Sequence, residues 1–275
     1  MSHRLPVALA AKEDGYDVSI LTKDTGYRKK IESYGFHFIE IPFERSGSNP
    51  LHEWKCIWKL MKTYYSGRPD IIHHVTLKAA LLGSIAAKLA GIRNVGNAIS
   101  GFGYNCTDGR SSGIKQKVIM LVMCLAFKSR YFHFILQNPD DLWFVTGQNY
   151  TLPDHLHLIK GSGIDLSSFA FRKEIRKQKV RLILPARMLY DKGVVEFVEA
   201  AKKIKDNVSD KAEFLLAGDC DMDNLAGIPE ETLREMTDGH YIRWIGFKDS
   251  MYEELAWSDI VVLPSYREGL PKSLI

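Results

Sequence analysis

Cysteine is scarce in this chain: four in 275 residues (Cys56, Cys106, Cys124 and Cys220), widely scattered and never spaced as CxxC. That argues against a disulfide framework or a zinc site and makes a reducing cytosol the natural compartment. Hydrophobic runs are short as well. The longest, Val118 to Phe127, is about half of what a membrane-spanning helix needs. The opening Met-Ser-His-Arg-Leu-Pro carries no hydrophobic signal region, so a soluble protein is expected. Glycine (21) and proline (10) are too few for a collagen-like or low-complexity chain, and a hydrophobic share of 45% excludes disorder. Neither sign of charge dominates, with 37 Lys+Arg against 33 Asp+Glu and a net +4. Such a balance suits an anionic metabolite or contact with an anionic membrane, and is too weak to argue for nucleic acid.

What the chain does have is alternation. Short β-rich runs near 17–21, 36–41, 71–74, 94–99, 132–136 and 155–160 are separated by helical stretches near 6–14, 51–65, 77–90, 113–130 and 139–146. Strands separated by helices of this length read as βαβ units on a parallel sheet. A second series runs strand 181–185, helix 193–205, strand 213–217, helix 230–237, strand 241–245, helix 250–257 and strand 260–263. Between the two lies a charged, turn-prone stretch, FAFRKEIRKQK, and residues 167–179 read as an interdomain linker, although a surface loop has the same composition. Two α/β domains are expected, 1–166 and 180–275. The first opens on a helix with no preceding strand and the second closes in the first turn of a helix. A fragment lacking the first strand and a C-terminal part is therefore expected.

Open parallel sheets bind ligands beyond the carboxyl ends of their strands. After strand 181–185 comes Ala186-Arg187-Met188-Leu189-Tyr190-Asp191-Lys192-Gly193. An Arg and a Lys five apart, with Gly193 opening a helix, place two cations and free backbone amides together. A diphosphate would fit there, though two solvated surface cations have the same spacing. Strand 213–217 ends in Gly218-Asp219, where glycine permits close backbone approach, and strand 241–245 ends in Gly246-Phe247, which can floor a flat base or pack in the core. The last loop, Pro264-Ser265-Tyr266-Arg267-Glu268-Gly269-Leu270-Pro271, sets a carboxylate before Gly and Pro at a helix start. Asp219-Cys220-Asp221 matches a metal-binding spacing, which we read as chance, and no metal site is expected.

Together ARMLYDKG, LLAGD, WIGF and SYREGLPKSLI resemble the family-four retaining glycosyltransferases of GT-B fold, in the branch that builds bacterial surface polysaccharides and lipid-linked glycans. That resemblance implies two Rossmann-like parallel-sheet domains facing a central cleft. It also implies transfer of a hexosyl group from a nucleotide diphosphate sugar, UDP foremost, to a glycan or polyprenyl-diphosphate-linked saccharide, with no cofactor and no catalytic metal. Arg187 and Lys192 would neutralise the leaving diphosphate. Glu268, Gly269, Leu270 and Pro271 would hold the sugar, Gly246 and Phe247 would lie by the base, and Gly218 and Asp219 would complete the donor side. The second Glu of the family's Glu-x7-Glu motif would fall beyond Ile275. On the acceptor side the resemblance points to His3, Arg4, His73, His74, Ser100, Gly101, Gln137, Ser162 and Gly163. Some relatives carry a sugar-contacting His where this chain has Ser100 and Gly101. The stretch GIKQKVIMLVMCLAFKSR, with basic ends, reads either as a helix resting in a membrane interface or as a core helix. Two rivals are a non-hydrolysing nucleotide-sugar epimerase of the same architecture and an inactive nucleotide-sugar-binding fragment.

Overall fold

A computed structural model describes residues 4–44, 49–102, 114–161, 163–164, 179–222, 224, 226–266, 268 and 270–275. The chain divides into two units, Met1–Ser162 and Gly163–Ile275. All but one residue of the expected linker lies outside the described residues.

Unit 1 runs α1 (Leu5–Glu13), β1 (Ser19–Thr22), α2 (Arg28–Ser33), β2 (His37–Glu40), α3 (Pro50–Gly67), β3 (Ile72–Val75), α4 (Leu77–Ala90), β4 (Val95–Ile99), α5 (Ile114–Phe127), β5 (Phe132–Leu136), α6 (Pro139–Gln148) and β6 (Leu156–Leu158). Local chemistry sets the helix ends. Asn49 accepts a hydrogen bond from the Leu51 amide ahead of Pro50, and Asn138 does the same for the Asp141 amide ahead of Pro139. Gly91 and Asn149 close α4 and α6 in the left-handed conformation. Every strand pair is parallel. Instead of one doubly wound sheet, the described strands form a separate β1–β2 pair and a four-stranded sheet ordered β3-β4-β5-β6.

Strand register sorts the four-stranded sheet into two faces. Ile72 and His74 lie beside Val95 and Asn97, and these beside Phe132 and Phe134. This face carries the core, together with Phe127, Met123 and Tyr150. The Phe127 ring stands edge-on to Phe134, with centroids 5.3 Å apart, a geometry favoured beyond simple burial.

Unit 2 runs β7 (Val180–Pro185), α7 (Val194–Val208), β8 (Ala212–Ala217), α8 (Glu230–Met236), β9 (Ile242–Gly246), α9 (Met251–Ala256) and β10 (Ile260–Val261), with short 3-10 turns at Tyr190–Lys192 and Lys272–Leu274. Its parallel sheet is ordered β10-β7-β8-β9. The chain builds outward from β7 through β8 to β9, then returns to lay β10 on the other side of β7.

Candidate active site

That return creates a topological switch point. Where strand order reverses, the loops leaving adjacent strands part in opposite directions and open a crevice at their carboxyl ends. In unit 2 the reversal falls between β7 and β10, which pair through Leu182–Ile260 and Ile183–Val261. The loops leaving these two strands are the Arg187–Gly193 and Pro264–Pro271 segments. The two strongest sequence signals therefore converge on one place.

The convergence is made by side chains. Lys192 Nζ donates to Glu268 Oε1 across 2.6 Å, with both side chains largely buried. Tyr266 donates its hydroxyl to Glu196 on the first turn of α7 at 2.6 Å, and its amide donates to the Asp191 carbonyl at 3.1 Å. The hydroxyl holds the Glu196 carboxyl below its ordinary pKa. Gly193 has φ +74, and a Cβ there would run into the Pro264 carbonyl, so only glycine lets the two loops meet this closely. No side chain caps the N-terminus of α7, which leaves amides directed at the same crevice.

Arg187 lies at the end of β7 with its side chain half exposed, and Nη1 donates to Asp221 Oδ2 at 2.5 Å. The Asp219–Cys220–Asp221 triplet thus supplies a partner for Arg187. Asp221 was missed as a site residue, and the triplet's place after a strand end was the signal that could have found it. Asp219 is exposed and accepts the Cys220 amide on Oδ1. At Gly218 a Cβ would collide with the Ala186 carbonyl, so glycine lets the end of β8 pass close to the end of β7. Gly246 ends β9 with φ +68 and accepts the Gly218 amide. Phe247 is 66% exposed, which excludes core packing and leaves a free aromatic surface at the mouth of β9. Leu270 is exposed and Pro271 partly buried, while Gly269 lies outside the described residues. No group of three or more His, Cys, Asp or Glu among the described residues is placed to hold a metal ion.

In unit 1, Ser100 and Gly101 follow β4 and Gln137 follows β5, so adjacent strands bring these three to one end of the sheet. Ser100 is exposed, and a Cβ on Gly101 would come within 3.9 Å of the buried Asp141. Arg4 precedes α1 close enough to His73 for its charge, after partial desolvation, to help depress the His73 pKa. Burial lowers the pKa of Arg4 itself. Gly163 follows β6 with φ +65. His3 and Ser162 lie outside the described residues.

His74 does not belong to a ligand site. It faces the core, where Nδ1 meets Asn97 Oδ1 at 2.8 Å and Nε2 meets the Tyr64 hydroxyl at 3.1 Å. Ser84 joins the network on Asn97, and Gly83 must lack a Cβ because one would fall on the imidazole. Adjacent strand residues point to opposite faces, so of the pair only His73 stays accessible.

A crevice at a switch point, with an uncapped helix start and two basic side chains, defines a class: an open parallel α/β protein of the kind that takes its ligand at the carboxyl ends of its strands. Comparison makes the class specific. Residues 1–137 match the Glycosyl transferase 4-like family model, and residues 179–275 match the Glycosyl transferases group 1 model. A curated relative from Campylobacter jejuni, N,N'-diacetylbacillosaminyl-diphospho-undecaprenol alpha-1,3-N-acetylgalactosaminyltransferase, is 29% identical over 99% of this chain and 73% of its own length. From Escherichia coli, UDP-Gal:alpha-D-GlcNAc-diphosphoundecaprenol alpha-1,3-galactosyltransferase is 25% identical over 94% of the chain and 68% of its own length. Among solved structures, WaaG, a glycosyltransferase of lipopolysaccharide biosynthesis, superposes with a TM-score of 0.68 at 12% identity, over 96% of this chain and 70% of that one. Anabaena HepE with UDP and glucose gives 0.67 at 13%, over 98% and 72%. By its two family matches the chain is a glycosyltransferase, with a 4-like first domain and a group 1 second domain, on the fold of the GT-B structures.

Proposed function

We propose that this glycosyltransferase moves a hexosyl group, with retention of configuration, from a UDP-sugar to a polyprenyl-diphosphate-linked saccharide at the cytoplasmic face of the membrane. The observation that carries the reading is the meeting of Lys192 and Glu268 at the switch point of unit 2, where the loop that opens with Arg187 reaches the last loop. In the reaction the bond from the anomeric carbon to the diphosphate oxygen breaks, and an acceptor hydroxyl oxygen bonds to that carbon in its place. Negative charge develops on the departing UDP, and the hydroxyl proton passes to the diphosphate. Arg187 and Lys192 stabilise that charge as it develops, which is where fixed donors contribute most. Glu268 and the Leu270 amide hold sugar hydroxyls, and Phe247 offers its ring to the base. With two cations on the leaving group, no divalent ion is needed.

Support for the acceptor comes from the C. jejuni and E. coli relatives, whose names both contain a diphospho-undecaprenol saccharide. Ser100, Gly101, Gln137, Arg4 and His73 are the residues assigned to it. Val118, Leu121 and Leu125 stand exposed on α5 near Lys117, Lys128 and Arg130, which suits contact with the membrane holding such an acceptor. No helix among the described residues is long and apolar enough to cross a membrane. The epimerase rival shares the fold alone, while both family models and both curated relatives are glycosyltransferases, which favours transfer.

The test is calorimetry with UDP, then transfer from labelled UDP-hexoses to a synthetic polyprenyl-diphosphate saccharide with and without excess EDTA. Binding of UDP and EDTA-resistant transfer are expected, with Lys192→Ala slowing transfer about a hundredfold to a thousandfold. Absence of UDP binding would refute the donor assignment, and abolition by EDTA with rescue by manganese would refute the leaving-group chemistry.

A further inference from the structure

The amino ends of the unit 2 strands, opposite the candidate active site, carry charges that the chemistry above does not use. A cavity of about 600 Å³ opens there, lined among others by Lys179, Lys205, Glu213, Asp238, His240 and Arg243. That volume lies in the range of sites for small organic ligands. Both of its carboxylates are already engaged. Glu213 accepts Arg181 Nε at 2.6 Å and Arg243 Nη2 at 2.9 Å, one acid between two guanidiniums. Asp238 accepts Lys205 Nζ at 2.7 Å and the amides of His240, Tyr241 and Ile242. Lys179 pairs with no acid among the described residues and donates to the Ser209 carbonyl at 2.8 Å. Counting Arg181, four cations meet two carboxylates, an excess of two. A second recess of about 400 Å³ adjoins the first at Arg243, beside Trp244.

We infer that this cavity is a second ligand site, separate from the nucleotide site, that binds a small phosphate monoester. Arg243 gives only Nη2 to Glu213 and keeps donors for another anion, while Lys179 adds a point charge. An excess of two positive charges matches a dianion, and a phosphate monoester is close to one at neutral pH, its second pKa being near 6. The same excess argues against a metal cation. The carboxylates do not repel the ligand freely, because Asp238 is tied to three amides and a lysine and Glu213 to two guanidiniums. The second recess leaves room for the organic part of the ester. The donor cannot be the occupant. Its proposed site lies at the carboxyl ends of the strands, and six-residue β8 alone puts about 17 Å between the two ends.

The experiment is calorimetry with glycerol 3-phosphate and with inorganic phosphate at millimolar concentration, on protein saturated with UDP and on Lys192→Ala protein. Each probe is expected to bind one site in both preparations, less tightly as salt rises, and glycerol is expected not to bind. Lys179→Gln and Arg243→Gln should each weaken binding about tenfold or more, the scale of one charge-assisted hydrogen bond. Lys179 is exposed and holds only a carbonyl. Its variant should therefore melt like the unaltered protein, which keeps the test decisive if Arg243→Gln disturbs the sheet. The inference stands apart from the donor chemistry, because Lys192→Ala protein reports on this cavity alone. No phosphate binding in either preparation, or binding that survives both substitutions and is lost with Lys192→Ala, would overturn it.

Discussion

At the scale of single residues, each of the two cations of the site is held against a carboxylate, Lys192 on Glu268 and Arg187 on Asp221. The two pairs differ in consequence. Glu268 stands where sugar hydroxyls are proposed to bind and has a role once the donor arrives. Asp221 has none, and its charge competes with the incoming diphosphate for Arg187. Asp221→Asn keeps a hydrogen-bond acceptor and removes the competing charge, so UDP should bind about two- to fivefold more tightly, the scale of a partly exposed ion pair. Calorimetry decides it: weaker binding would mean that Asp221 positions Arg187 instead. Arg187, Lys192 and Glu268 were legible in the sequence because each follows a strand end with glycine nearby. Asp221 was not. Its partnership depends on the 218–227 loop returning along 188–189 through the Met188–Cys220 and Leu189–Gly227 bridges, a tertiary fact. His74 was misjudged for a related reason. Alternation says that one of two adjacent histidines points inward, but only Asn97 and Gly83 determine which.

At the scale of elements, the strand-helix alternation was readable because parallel strands buried on both faces are continuous apolar runs. The short charged helix α2, RKKIES, escaped notice, since six residues give little periodicity to see. The stretch leading into α5 was ambiguous because its apolar residues encircle the helix. Packing resolves it, burying Met123, Ala126 and Phe127 and leaving Val118, Leu121 and Leu125 outside. The site itself rests on a joint between elements, the start of α7 against the loop after β10, and Gly193 is that joint. Gly193→Ala would strain a left-handed backbone by about 1–2 kcal/mol and also push its Cβ against the Pro264 carbonyl. Loss of at least about 2 kcal/mol of stability and a transfer rate lower by about a hundredfold are expected from thermal melts and kinetics. Gly147→Ala serves as a control, since its Cβ meets open space within α6, and it should be neutral or stabilising by about 0.5–1 kcal/mol. Equal effects of the two substitutions would remove Gly193 from the joint.

At the scale of the whole molecule, the two units have separate cores and different responses to acid. Burial holds the neutral His74 imidazole to a pKa of about 4, against the opposing effect of the hydrogen bond that Asn97 Oδ1 accepts. Burial likewise depresses His73 and His133, with help from Arg4 in one case and from His155 and His157 in the other. All three lie in unit 1. Between the ordinary histidine pKa near 6.5 and these lower folded values, the unfolded chain binds protons that the folded unit refuses. Stability is therefore full above about pH 6.5 and falls as pH drops toward 4, by up to about 3 kcal/mol for His74 alone. Unit 2 behaves otherwise. Burial pushes the Asp238 carboxyl up, but Lys205 and the amides of Ile242, His240 and Tyr241 together pull it well below its ordinary value. A depressed carboxylate contributes above about pH 4 and is lost only as pH falls further. Hydrogen exchange corrected for intrinsic rates should thus show unit 1 losing protection first between pH 6.5 and 4.5, while unit 2 holds until more acid conditions. In a His74→Gln variant the curve for unit 1 should flatten across that window, even if its plateau is lower. If unit 2 opened first, or if the slope in unit 1 survived the substitution, the buried imidazole would not be the group that senses the acid.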